Sequence, residues 1–206
     1  MPTRHANRLS LGTLGFSALL IFLLLAGRPA FADGSVAASS GTVSAAGPDT
    51  WYGDGWGHLK DTWGKGGYEL YLPFYTYHMP YAYSPALLRS YNDIPVGGGL
   101  GKGRFNERGN WEGLYVMEFA DSHSRPQYEG GYAWISTWRP FHGVRLGAGV
   151  TGFVFARSDI DRYTPLPGIL PLASIGFKNL DIQTTFVPGG RNNGNVLFSW
   201  LKLSFY

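Results

Sequence analysis

The 206-residue sequence has no cysteine, only 3 methionines and only 15% charged residues. Without cysteine, a disulfide scaffold, an all-cysteine zinc site and thiol catalysis are excluded. The scarcity of charge, with 44% hydrophobic residues, argues against a disordered chain. Beyond the N-terminal segment there is no apolar run long enough to cross a bilayer as a helix. Abundant instead are glycine, at 30 residues, and the aromatics, which outnumber the charged residues at 16%. That balance is unusual for a water-soluble globule and ordinary for a β-protein that meets lipid.

Residues 1–32 read as a secretory signal peptide. Arg4 and Arg8 form a basic n-region, Leu11 to Ala26 an apolar h-region, and Ala30-Phe31-Ala32 a small-x-small cleavage site. A retained transmembrane anchor is the alternative, but the run is short and ends in a cleavage motif. Removing Arg4, Arg8 and Arg28 lowers the 17 basic residues to 14, against 14 acidic residues, so the formal charge of +3 falls to zero. A neutral exported chain lacks the basic surface that nucleic-acid binding requires.

Residues 33–49 are rich in Ser, Ala and Gly and read as a flexible leader. A short amphipathic helix is expected over 50–66. At about 100° per residue, Tyr52, Trp56, Leu59 and Trp63 fall on one stripe, with Asp54, Lys60 and Asp61 off it. Gly53, Gly55 and Gly57 each weaken a helix by about 0.8–1 kcal/mol relative to Ala, so it needs an external surface. A Trp-rich face suits the bilayer interface. The alternative is packing on a soluble core.

A barrel is expected over 67–206. From Tyr68 the hydrophobic period shifts toward two, and eight strand-like segments follow, at 69–77, 97–105, 112–120, 130–138, 144–156, 169–177, 180–188 and 195–205. Leu180, Ile182, Thr184 and Phe186 alternate with Asp181, Gln183 and Thr185; Leu197, Leu201, Leu203 and Phe205 alternate with Lys202 and Ser204. An even count lets the first and last strands close the sheet. Connections after even strands are short, at 106–110, 139–143 and 178–179. Those after odd strands, at 79–96, 121–129, 157–168 and 189–194, are mostly longer and share the other rim, as in outer-membrane barrels. The expected fold is therefore all-β: an eight-stranded antiparallel transmembrane β-barrel with a short N-terminal amphipathic helix. A periplasmic lipocalin-like barrel has the same strand number and stays open as an alternative.

Leu114-Tyr115-Val116-Met117 shows no polar parity, and small residues recur at 97–99, 130–131 and 147–149. Together they point to a dry lumen that takes an acyl chain; a plugged structural barrel is the alternative. His78 ends the first strand, and Asp121-Ser122 ends the third on the same rim. A His, an Asp and a Ser there suit activation of a hydroxyl or orientation of an acyl donor. His123 is adjacent and offers the same chemistry. On the fourth strand Gly131, Ala133 and Ile135 share one face, and Tyr132, Trp134 and Trp138 share the aromatic, lipid-facing side.

Ordered motifs run through the chain: Tyr68-Glu69-Leu70-Tyr71-Leu72-Pro73 with Tyr77-His78, Tyr91-Asn92-Asp93-Ile94-Pro95-Val96-Gly97-Gly98-Gly99, and Gly109-Asn110-Trp111-Glu112-Gly113-Leu114-Tyr115 leading to Phe119-Ala120-Asp121-Ser122. They continue with Trp134-Ile135-Ser136-Thr137-Trp138-Arg139-Pro140, Pro165-Leu166-Pro167-Gly168-Ile169-Leu170-Pro171, and Asn192-Asn193-Gly194-Asn195-Val196. Over about residues 49–205 they closely resemble the outer-membrane lipid A palmitoyltransferase (PagP) family. The resemblance implies an eight-stranded barrel in the outer membrane, with its N-terminal helix on the periplasmic side. It implies transfer of a palmitoyl chain from the sn-1 position of a glycerophospholipid donor to lipid A by a monomer integral to the membrane, with no metal or cofactor. The family's functional residues fall on His78, Asp121 and Ser122. Ala133 stands where the resemblance puts a glycine at the floor of an acyl pocket, with Met117 nearby. Pro73, Pro95, Pro171 and Pro188 match prolines flanking lateral lipid routes between strands 1 and 2 and strands 6 and 7, since proline cannot donate a ladder hydrogen bond. Asn106 replaces an aspartate near the first short turn, and Arg157 matches a family arginine. A non-catalytic barrel stabilising the envelope is the rival reading from another class.

Overall fold

The computed structural model describes residues 51–160 and 162–205. The signal-peptide and leader expectations, and Tyr206, lie outside them. Helix α1 spans Trp51–Lys65. The eight strands are β1 (Gly67–His78), β2 (Gly97–Phe105), β3 (Trp111–Ala120), β4 (Pro126–Phe141), β5 (Val144–Arg157), β6 (Leu166–Phe177), β7 (Leu180–Val187) and β8 (Val196–Phe205). A 3₁₀ turn at Pro80–Ala82 and a one-turn helix α2 (Pro85–Leu88) lie in the β1–β2 connection. Each strand pairs antiparallel with the next, and β1 pairs with β8, so the sheet closes into a barrel. β4 begins and ends a few residues beyond the expected 130–138, because the pairing continues through Gln127↔Phe119 and past a bulge between Trp138 and Phe141.

The alternation is inverted relative to a soluble barrel. Leu180, Ile182, Ile175, Val150, Leu100, Trp134 and Trp138 are exposed on the outer wall, while Asp181, Gln183 and Thr185 are buried inside. An apolar exterior of this kind is the surface of a barrel solvated by lipid.

The lumen has two halves. Toward the short-turn rim it is filled, and not with the apolar residues expected. Glu69 Oε1 accepts from Lys202 Nζ at 2.9 Å, Trp111 Nε1 at 3.0 Å and Ser204 Oγ at 3.0 Å, and Glu69 Oε2 accepts from Tyr71 OH at 2.7 Å. Lys202 also reaches Asp181 Oδ2 at 3.2 Å, and Arg145 pairs with Asp181 at 3.1 Å. β7 and β8 turn their polar parity inward, so the barrel bottom is a buried charged plug. It is tolerable because the Lys202 ammonium is engaged by both the Glu69 and Asp181 carboxylates, although Arg145 Nε is left without a hydrogen-bond partner among the described residues. β2 carries glycine opposite this cluster because a Cβ at Gly103 would overlap the Glu69 carboxylate.

Helix α1 lies against β2 and β3 at the short-turn rim through its polar side. Glu112, fully buried though it points outward from β3, accepts from Asn106 Nδ2 at 2.6 Å and Arg104 at 3.0 Å, and meets His58 Nδ1 at 2.8 Å. Thr62 Oγ1 donates to the His58 carbonyl at 2.8 Å, and Lys102 Nζ to the Trp63 carbonyl at 2.6 Å. Asn106 thus serves the carboxylate as a neutral donor where an ion pair was in question. Trp56 and Trp63 are left exposed, on the side where an interfacial helix carries Trp.

The wall itself is incomplete in two places. The β1–β2 ladder runs from Gly67↔Gly103 to Tyr71↔Gly99 and stops, leaving the upper half of β1 paired only with β8. Likewise the β6–β7 ladder stops at Leu172↔Thr185, although β6 stays paired with β5 as far as Leu166. Pro73 and Pro95 flank the first interruption, Pro171 and Pro188 the second.

Candidate active site

Toward the long-loop rim the lumen opens into a cavity of about 410 Å³, within the roughly 300–1,000 Å³ range of ligand pockets. Its walls include Phe119, Phe153, Phe155, Ile169, Leu170, Phe198 and Trp200. Phe119 and Phe198 stack with centroids 4.6 Å apart. Tyr115 OH and Thr151 Oγ1, 2.7 Å apart, hydrogen-bond across the inner face of β4 and mark the cavity's deep end. A groove of about 540 Å³ at the opposite rim, lined by Phe105 and residues 139–145, lies away from this chemistry.

At the cavity mouth, β1 delivers His78 and the end of β3 delivers Ser122. His78 Nε2 lies 2.9 Å from Ser122 Oγ, and Nδ1 lies 2.8 Å from Asp93 Oδ1. An ionised carboxylate only accepts, so Nδ1 carries the proton and Nε2 presents a lone pair to the serine hydroxyl. The His78 side chain is 3% exposed, while Asp93 is half open to solvent. The imidazole packs against Tyr91, at 4.7 Å between centroids, and edge-on to Tyr83, at 5.4 Å. Burial pushes the Tyr83 phenol up, with Tyr91 adding to it, so the hydroxyl stays protonated and donates to the Gly194 carbonyl.

Backbone contacts set this geometry. Thr76 N–H donates to the Asp93 carbonyl at 2.8 Å, and Asn92 N–H to the Ser122 carbonyl at 2.9 Å. The first long loop is thereby tied to both β1 and the serine turn. Asn192 N–H donates to the Ala82 carbonyl at 2.7 Å, closing the rim from the far side.

The structure brings His78 and Ser122 together and does not bring Asp121 to His78. Asp121 Oδ1 accepts the backbone N–H groups of His123 and Arg125, both at 2.8 Å, and Oδ2 lies 3.6 Å from Arg157. Asp121 therefore fixes the turn that carries Ser122. Arg157 is also bidentate to Asp159, at 3.0 and 2.9 Å. His123 packs edge-on to Tyr91 at 5.3 Å. Met117 and Ala133 are buried, 1% and 2% exposed, in the packed layer beside the cavity rather than on its lining. Among the described residues no cluster of three or more His, Asp or Glu is placed to hold a metal ion.

Asp93 is the residue that the sequence reading passed over as a site. A signal was present: it is the only acidic residue in the long connection over 79–96.

A closed barrel with an apolar outer wall and an Asp–His–Ser arrangement at the mouth of a largely apolar cavity is a site of the kind that can move an acyl group. Residues 58–202 match the family model described as antimicrobial peptide resistance and lipid A acylation protein PagP. The chain belongs to that family. It is 49% identical to a lipid A acyltransferase PagP of Laribacter hongkongensis over 147 residues, 71% of each chain. It is 42% identical to that of Methylobacillus flagellatus over 147 residues, 71% of this chain and 80% of the relative. To that of Edwardsiella tarda it is 49% identical over 140 residues, 67% of this chain and 75% of the relative.

Proposed function

We propose that this protein is a lipid A acyltransferase of the outer membrane, moving a palmitoyl-length chain from the sn-1 position of a glycerophospholipid to lipid A. The observation that carries the reading is the Asp93–His78–Ser122 relay at the mouth of an acyl-sized cavity. The long-loop rim faces outward and α1 lies on the periplasmic side. Donor and acceptor reach the mouth laterally through the two wall interruptions flanked by Pro73 and Pro95 and by Pro171 and Pro188. Each is a place where the strand ladder is interrupted, with Thr76 N–H to the Asp93 carbonyl tying the first and Thr185 Oγ1 to the Pro171 carbonyl bordering the second. One chain holds the whole relay, so a monomer suffices.

In this reading the donor's sn-1 chain fills the cavity and its ester carbonyl rests by Ser122. His78 Nε2 takes the serine proton as Oγ attacks, the tetrahedral intermediate collapses, and the lysophospholipid leaves with that proton. His78 then takes the proton of the lipid A hydroxyl as its oxygen attacks the acyl-enzyme carbonyl, the ester bond to Ser122 Oγ breaks, and His78 returns that proton to Oγ, restoring the serine. Asp93 holds the tautomer and stabilises the imidazolium. Asp121 holds the turn, and with it the position of Ser122. Incubating the purified protein with phospholipid labelled in its sn-1 chain and with lipid A tests the reading. Label should appear in lipid A and lysophospholipid should form. A non-catalytic barrel moves no label.

A further inference from the structure

The acyl cavity has an uneven wall. The inward parity of β4 runs Gln127, Glu129, Gly131, Ala133, and the first two line the cavity. Glu129 sits in register with Met117 on β3 and Phe155 on β5. Its side-chain hydrogen-bond partner is Gln127, and no cation pairs with it among the described residues. Nearby on the same side are Tyr115 OH and Thr151 Oγ1, bonded to each other. The charged and titratable groups at the mouth are engaged elsewhere: Arg157 with Asp121 and Asp159, His78 with Asp93 and Ser122. The apolar rings of Phe198 and Trp200 on β8 line the same cavity, and Phe119, in register with Gln127 on the neighbouring strand, stacks on Phe198.

A methylene chain entering this cavity strips water from the Glu129 carboxyl and returns no hydrogen bond, which is costly for a buried polar group. A chain carrying a hydroxyl at that depth restores the bond. Met117 precedes Ser122 by five residues; at about 3.4 Å per residue and a strand tilt near 40°, Glu129 lies roughly 13 Å below the serine. The hydroxyl would therefore sit part-way along the chain, well clear of the ester.

We infer that Glu129 is a specificity-determining residue of the acyl cavity and that it favours a chain bearing a mid-chain hydroxyl over the plain chain of equal length. The inference rests on the acyl-transfer reading above. A site built to hydrogen-bond a hydroxyl discriminates strongly against the analogue lacking it.

The test offers the protein an equimolar mixture of two phospholipids that differ only by a mid-chain hydroxyl on the sn-1 chain. Products on lipid A are weighed by mass spectrometry. The wild type should favour the hydroxylated chain by about tenfold or more. Glu129→Leu should abolish or invert that ratio, and Glu129→Gln, which keeps an acceptor oxygen, should retain part of it. Equal use of both chains by the wild type, or one ratio shared by wild type and Glu129→Leu, overturns the inference. Calorimetric binding of the two matching single-chain lysophospholipids to the folded proteins gives a readout independent of transfer. If no chain is transferred but the binding ratio still depends on Glu129, the acyl-transfer reading fails and the role of Glu129 stands. If neither transfer nor a Glu129-dependent binding ratio is seen, both fall.

Discussion

Asp93 Oδ1 lies 2.8 Å from His78 Nδ1, while Asp121, on the same rim, spends its carboxylate on the backbone of its own turn and on Arg157. The two aspartates therefore do different work. His78→Ala and Ser122→Ala should each remove most turnover with the barrel still folded. Asp93→Asn should lower turnover by about 10²–10⁴-fold, the usual range for general acid–base catalysis, because the amide no longer fixes the tautomer. His123→Ala should retain most activity. Rates measured on these four proteins, with folding checked by circular dichroism, decide the assignment; near-normal turnover in His78→Ala rejects it.

The wall interruptions make a separate prediction. Pro171 ends the unpaired stretch of β6, and its carbonyl is held by Thr185 Oγ1 at 2.8 Å. Replacing Pro171 and Pro188 together with residues that can donate should extend the β6–β7 ladder and close the route. Activity should fall while the unfolding midpoint holds or rises. Unchanged activity in the folded double variant would mean that lipid enters elsewhere. The same exchange at Pro73 and Pro95 separates donor from acceptor entry.

Chain length is expected to depend on Ala133. It pairs in register with Gly113 and Thr151, next to the Tyr115–Thr151 bond that closes the deep end. Ala133 is not on the lining, so its methyl would act from the packed layer behind the deep end, where overpacking costs typically 1–3 kcal/mol, against about 0.8 kcal/mol gained by burying one more methylene. The clash wins, so the enzyme should prefer a chain slightly shorter than palmitate or select palmitate loosely. Ala133→Gly should lengthen the preferred chain. Donor profiles with identical optima for the two proteins would remove Ala133 from any role in setting chain length.

The helix α1 clamp depends on Glu112. Removing this carboxylate by Glu112→Ala leaves Arg104, Asn106 and His58 without their shared acceptor. Breaking one side of a buried charged cluster costs roughly 3–5 kcal/mol. The helix should detach and be cut by trypsin at Lys60 or Lys65, while the barrel stays resistant. Equal digestion rates in the two proteins would refute the clamp. Asp61, also in this contact, is held below the ordinary carboxylate range by its hydrogen bond to Lys65, with burial opposing and Lys65, Arg104 and His58 adding by charge. Its contribution is present above the ordinary carboxylate pKa and declines as pH falls toward that lowered value; since its main partner Lys65 is on the same helix, acid should loosen α1 itself, with no change expected near neutrality.

Strand number, the long and short connections and the lipid-facing residues were all written in the sequence, because a period of two is a local property of each strand. The motifs carried the family. What the chain alone could not set was which groups meet across the barrel. In sequence Asp121, adjacent to Ser122, is the aspartate that suggests itself for His78, and Asp93 does not stand out. Only the ties from Thr76 to Asp93 and from Asn92 to Ser122 bring Asp93 to the imidazole, while the Asx turn withdraws Asp121. The polar parity of β7 and β8 was legible, yet that it packs Lys202 and Asp181 beside Glu69 depends on closure of β8 onto β1. Glu129 likewise reads as one charge in a loop until β4 is extended to Pro126, which turns the carboxyl into the acyl cavity. Alternation assigns a side chain to a face, but register and closure, fixed by partners far along the chain, assign its neighbours.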